Sequence, residues 1–166
     1  MSDSLAHVKR ILIPAVELGR LCGVTRDCFR TWVRRGILPF KRDPETLQPV
    51  VGVRDLVAAL VVARIHRCKQ LPNRSRLIRQ VAKAAKQAFA LADKTGEQAY
   101  LIVRNDGIEP AIAPRPFTLS RSIMLPLSEY EKTMGAAFAR ALAAYEKDRR
   151  EAYDLIGAAL QEGLAA

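Results

Sequence analysis

The sequence predicts a mainly α-helical chain, with two short helices and a hairpin near its start, a small β insert further on, and a long C-terminal helix. Three observations carry this reading. Apolar residues recur at spacings of three and four through most of the 166 residues. Turn-forming groups such as Asp43-Pro44, Leu71-Pro72-Asn73 and Asn105-Asp106-Gly107 punctuate the pattern. Charge is divided as well: residues 1–93 hold 18 Lys and Arg against 7 Asp and Glu, a balance of +11, whereas residues 94–166 hold 9 against 10, a balance of −1. The expected parts are 1–93, 94–126 and 127–166.

Residues 4–13 read as a lead-in, an extended arm with Lys9 and Arg10 available to a polyanion. Pro14 or Ala15 opens a first helix that presents Val16, Leu18, Leu21 and Cys22 inward and stops at Gly23. The turn Gly23-Val24-Thr25 then redirects the chain. The second helix, TRDCFRTWVRRG over residues 25–36, divides cleanly at about 100° per residue. Arg26, Asp27, Arg30, Thr31, Arg34 and Arg35 fall within one half of the circumference, and Cys28, Phe29, Trp32 and Val33 within the other. Thr25 is placed to cap its start, and Gly36 to end it in a left-handed conformation.

After Pro39 forbids further helix, Phe40-Lys41-Arg42 and Gln48-Pro49-Val50-Val51 flank a polar tip, giving a short hairpin that carries Lys41 and Arg42. From Arg54 or Asp55 to about Lys69, a helix rich in Leu, Val and Ala should be buried on most sides and serve as the core element. A fourth helix follows over residues 74–93, capped by Asn73 or Ser75. It has Leu77, Ile78, Val81, Ala85, Ala88, Phe89 and Ala92 at helical spacing and Arg74, Arg76, Arg79, Lys83 and Lys86 around the rest. Those cations read either as auxiliary phosphate contacts or as a solvated basic face.

Residues 100–104 are a strand candidate, Asn105-Asp106-Gly107 a strong turn, and residues 108–113 the returning strand; residues 116–126 could supply a third. This insert is expected to be a ligand-sensing or partner-docking element, or a spacer. The last helix starts at Ser128 as cap, with Glu131 completing a capping box, and extends to about Glu162. Its stripe includes Tyr130, Met134, Phe138, Leu142, Tyr145 and Leu155, with a polar interruption at Asp148 and Arg149. A stripe this long calls for a partner. A homodimer seam is the first expectation, and a helix folded back on its own chain, or one broken near Asp148, is the alternative.

Read together, VELGRLCGVTRDCFRTWVRRGILP, the hairpin and RDLVAALVVARI resemble the winged helix-turn-helix DNA-binding domain of the MerR superfamily, including its excisionase-like and BldC-like members. The resemblance covers about residues 14–69. It rests on Gly23-Val24-Thr25 at the turn, Arg30 and Trp32 in the second helix, Arg35-Gly36-Ile37-Leu38-Pro39 leaving it, and Asp55-Leu56 entering the next. It implies that the second helix enters the major groove of double-stranded DNA, with Arg26, Asp27, Arg30 and Thr31 toward base edges and Arg34 and Arg35 nearer phosphates. Where the family carries a glycine, an arginine and a tyrosine before the third helix, this chain reads Gln48-Pro49-Val50-Val51-Gly52. Lys41 and Arg42 are then the wing's basic residues, with Arg74 and Arg76 as auxiliary contacts.

The composition excludes several classes. No uninterrupted apolar run approaches the ~18 residues of a spanning helix, and the start of the chain lacks a signal-peptide layout, which predicts a soluble, cytoplasmic, nucleoid-associated protein. Cys22, Cys28 and Cys68 stand at no metal-ligand spacing, and His7 and His66 are far apart, so no metal, cofactor or catalytic constellation is expected. A pI near 10.0, with its charge confined to the first part, points to nucleic acid. The expected function is a MerR-like transcription regulator acting as a homodimer. The alternatives are an excisionase-like architectural factor, a DNA-binding antitoxin with a protein partner on residues 94–126, or an adaptor.

Overall fold

The computed structural model describes residues 10–113 and 122–165. Lys9 and the rest of the expected arm before Arg10 lie outside the described residues, as do Pro114 and Pro116 of the insert. A short strand, β1 (Ile11–Leu12), leads through Pro14 into α1 (Ala15–Cys22). Helix α1 buries Leu18, Gly19, Leu21 and Cys22, but Val16 is 50% exposed. Two residues turn a helix through about 200°, so Val16 and Leu18 cannot share a face, and the core takes Leu18. Helix α1 ends at Gly23, whose φ of 69° is left-handed.

Helix α2 (Arg26–Arg34) starts where the Thr25 hydroxyl accepts a hydrogen bond from the Cys28 amide at 3.2 Å. It ends as expected at Gly36, φ 71°, where the Ile37 amide bonds back to the Trp32 carbonyl. Strands β2 (Lys41–Arg42) and β3 (Pro49–Val51) form the hairpin, and β1 joins it to give an antiparallel sheet of order β1-β3-β2. Pro49 stands at the first position of the central strand, where its missing amide costs least; its carbonyl accepts from the Ile13 amide.

Helix α3 (Val53–Arg67) is the buried centre expected of it. Leu56, Val57, Leu60, Val61, Val62 and Ile65 are at most 2% exposed, and α1, α5, α6 and α7 pack around it. The Asp55 carboxylate accepts from the Gly52 amide at its start. The single helix expected over residues 74–93 is divided into α4 (Arg74–Leu77), a 3-10 turn (Ile78–Gln80) and α5 (Val81–Thr95). Asn73 makes no side-chain cap; it takes a left-handed φ of 56°. Strand β4 (Gln98–Arg104) is central to the second sheet, flanked antiparallel by β5 (Gly107–Ala113) and β6 (Ile123–Pro126). Pro110 is accommodated because β5 is an edge strand.

The last helix is where the structure departs most from expectation. It is two helices, α6 (Leu127–Tyr145) and α7 (Arg149–Ala165), folded into a hairpin. Asp148 makes the break, because its carboxylate accepts from the amides of Arg150 and Glu151 and starts a new helix. Of the expected dimer seam, Tyr130, Met134 and Phe138 are buried within the chain, and Leu142, Tyr145 and Leu155 are half-buried against the same core. The stripe has found its partner in its own chain. The expected capping box is also absent. The Ser128 hydroxyl accepts from the Ala99 amide at 2.7 Å, one residue past the last β4–β6 pair, and Glu131 bonds Arg54.

One buried cluster runs from Ile11 through Leu60 and Leu101 to Leu160, so the three expected parts share a core. Among the described residues, no helix is long and apolar enough to cross a membrane.

Candidate nucleic-acid interface

Helix α2 is held by aromatic packing beneath it. Phe29 is fully buried, with its ring centroid 6.1 Å from that of Trp32 and 6.1 Å from that of Phe40 at the root of the hairpin. Trp32 in turn meets the His66 ring edge-on at 5.3 Å. These contacts fix both the rotation of α2 and its spacing from the hairpin. The side chains of the opposite face are thereby turned outward.

The turn before α2 is fixed from two further directions. Arg67 of α3 donates through Nη2 to the carbonyls of Cys22 and Gly23, and Gln161 of α7 donates to the carbonyl of Leu21 at 2.9 Å. The φ of Gly23 favours glycine, and a Cβ there would also push the Arg67 guanidinium away from the two carbonyls it bonds. Helix α7 also approaches α1 closely at Gly157, against Leu21, while an Arg20–Glu17–Arg150–Asp154 ion network bridges them at the surface. Tyr145 and Tyr153 both donate to the Leu12 carbonyl. The C-terminal hairpin thus acts as a brace for the α1–α2 turn.

The β2–β3 hairpin has its own lock. The Asp43 carboxylate accepts from the Thr46 amide at 2.8 Å, the Thr46 hydroxyl at 2.9 Å and the Glu45 amide at 3.2 Å. These bonds, the Thr46 amide foremost, hold its carboxyl below the usual carboxylate range. Leu47 follows with φ 59°, a left-handed conformation that costs a leucine roughly 1–2 kcal/mol.

Between α2 and this hairpin lies a cleft of about 660 Å³. Asp27, Arg30, Thr31 and Arg34 line it from the helix, and Arg42, Leu47 and Pro49 from the hairpin. An adjoining recess of about 290 Å³ is bordered by Arg26 and Arg30, by Val16 at the start of α1, and again by Leu47. The structure therefore brings together six of the expected residues: Arg26, Asp27, Arg30, Thr31, Arg34 and Arg42. Arg35 and Lys41 are exposed nearby but line neither recess. Arg76 is exposed on α4, and Arg74 is half-buried, its Nη1 donating to the His66 carbonyl at 2.7 Å.

Two sets of cations differ in what their side chains bond. Arg20, Arg54, Arg64, Arg67, Arg74, Arg104 and Arg150 all bond to groups of their own chain. Arg54, for example, grips Asp93 with both Nη atoms at 2.9 and 2.8 Å, reaches Glu131 through Nε, and stacks 4.4 Å over Phe89. By contrast, the side chains of Arg26, Arg30, Arg34, Arg35, Lys41 and Arg42 make no hydrogen bond or ion pair among the described residues. Seven arginines are thus tied down within the fold; Arg76, Arg79 and Arg140 are exposed and also without such a bond among the described residues, but α2 and the hairpin gather six unengaged cations on two adjoining elements.

The three cysteines are not part of this surface chemistry. Cys22 is buried and its thiol is pushed up to about 12 by desolvation; burial also raises the Cys28 thiol. Sequence reading missed two kinds of residue. Arg67 and Gln161 act from distant helices, and no local pattern marks them. Leu47 and Val16 are apolar in the midst of charge, and Leu47 could have been noticed as an isolated leucine in a polar loop. No protein-family model, no curated protein and no solved structure matches this chain.

Proposed function

We propose that this chain is a sequence-specific double-stranded DNA-binding protein of the MerR-like regulator type, in which α1, the Gly23 turn and α2 are a helix-turn-helix and the β2–β3 hairpin is its wing. One observation carries the reading: six cations gathered on α2 and the hairpin have side chains with no hydrogen bond or ion pair among the described residues, while seven arginines elsewhere in the fold are bonded. Such a surface keeps its donors for phosphates and base edges. Helix α2 enters the major groove, which is about 12 Å wide and admits a helix. Arg26 and Arg30 then face base edges, where the guanidinium fork matches guanine O6 and N7, and Asp27 accepts from a cytosine amino group. Arg34, Arg35, Lys41, Arg42 and Arg76 meet the backbone.

A domain of this size reads few base pairs, so two copies on a repeated site are expected. Because Tyr130, Met134 and Phe138 are committed to the chain's own core, they are not the seam between such copies. The test is selection of a preferred duplex from a random pool with the full chain, followed by binding measurements in increasing salt. An enriched motif, bound with an affinity that falls steeply with salt, is the expected outcome. No enrichment and a flat salt response would overturn the proposal.

A further inference from the structure

Four large apolar side chains stand out as exposed among the described residues: Val16, Leu47, Leu91 and Ile123. Two of them, Val16 and Leu47, border one recess, and that recess also holds Arg26 and Arg30. Leu47 is the most exposed of the four at 66%. It is also locally disfavoured, because its φ of 59° suits glycine or asparagine better than leucine. The hairpin nonetheless fixes it there through the Asp43 bonds to Glu45 and Thr46, and the Leu47 amide donates to the Asp43 carbonyl at 2.8 Å. A leucine held by a rigid tip over the arginine face of α2 has no use for a phosphate. In the major groove, the apolar group on the base edges is the 5-methyl of thymine.

We propose that Leu47, with Val16 beside it, is a specificity-determining contact that reads a thymine methyl group next to the base pair engaged by Arg30. Leu47 lines both the 660 Å³ cleft and the adjoining recess, and Arg30 is the α2 residue common to the two. A base edge brought to Arg30 therefore arrives beside Leu47. This inference rests on the DNA-binding reading and adds a component of specificity that charge cannot supply. Phosphate contacts attract every sequence equally, whereas an apolar pocket discriminates thymine from the other three bases.

Deoxyuridine lacks only the methyl group of thymine, which makes it the direct probe. In the preferred duplex selected with the full chain, each thymine is replaced in turn by deoxyuridine, and Kd is measured for wild type and for Leu47→Asn. Asparagine tolerates the left-handed φ, so the hairpin is preserved, and a Tm no lower than that of wild type verifies it. At one thymine or more, wild type should lose about four-fold in affinity, the factor that one buried methyl group is worth. Leu47→Asn should bind the thymine and deoxyuridine duplexes equally. Indifference of wild type to deoxyuridine at every position, or an equal loss in the variant, would overturn the inference. In that event, persistence of an enriched motif that depends on Arg30 would leave the DNA-binding reading standing. Failure to enrich any motif would overturn both.

Discussion

Arg30 is the residue on which the proposed specificity is most concentrated, because it borders both recesses and its side chain bonds to nothing in its own chain among the described residues. Replacement by alanine should raise Kd on the preferred duplex by about 10-fold or more, the worth of one bidentate base contact. Since no intramolecular bond is lost, Tm should stay unchanged; a matching fall in Tm would assign Arg30 to the fold. His66 gives a second residue-scale expectation. Burial, then the Arg74 and Arg67 guanidinium groups, hold its imidazole below the ordinary 6.5. The fold therefore favours the neutral ring. Its contribution to stability is complete above about pH 6.5 and is lost as pH falls through the lower folded value. Trp32, the only tryptophan, lies against that ring and reports on it. Its fluorescence should titrate below pH 6.5 and stop doing so in His66→Gln.

At the scale of elements, the α1–α2 turn shows how two glycines of like backbone conformation can differ in what surrounds them. Gly23 and Gly36 have nearly the same left-handed φ, 69° and 71°. A Cβ at Gly36 meets nothing within 4 Å, whereas at Gly23 it enters the space of the Arg67 guanidinium. Gly36→Ala should therefore cost only the backbone penalty of about 1–2 kcal/mol. Gly23→Ala adds the loss of the Arg67 bonds to two carbonyls, for a total of about 2–4 kcal/mol. In a chain of this length that is roughly 5–15 °C in Tm, measured by calorimetry. Equal effects of the two substitutions would mean that Arg67 does not hold the turn. DNA affinity should fall further in Gly23→Ala, because α2 is aimed by that turn.

For the whole molecule, the C-terminal hairpin decides whether the proposed interface exists at all. Leu127, Tyr130, Met134, Phe138, Ile156 and Leu160 are all buried, and their removal forfeits on the order of 10 kcal/mol. That is comparable with the entire stability of a domain. Truncation after Pro126 should thus abolish cooperative unfolding monitored by circular dichroism, rather than release a folded fragment. The electrostatics also belong to this scale. The five cations assigned to the backbone, Arg34, Arg35, Lys41, Arg42 and Arg76, give an expected slope of log affinity against log salt of about −4.5 per bound copy. Removing Lys41 and Arg42 together should lower its magnitude by about 2.

The sequence by itself determined the amphipathic division of α2, its cap at Thr25, its end at Gly36 and the burial of α3. These depend on periodicity and on residues within one turn of each other, so a local pattern records them. The concentration of positive charge in residues 1–93 was equally legible. Only the tertiary structure decided which of those cations are occupied, since Arg67 and Gly23 are 44 residues apart and Gln161 and Leu21 are 140 apart. It also decided the fate of the last apolar stripe. A stripe at helical spacing specifies that a face must be covered and says nothing about what covers it; here Asp148 caps a second helix, and α6 and α7 cover each other and the core. Leu47 belongs to the same class, because an exposed leucine acquires meaning only when the hairpin places it beside Arg30.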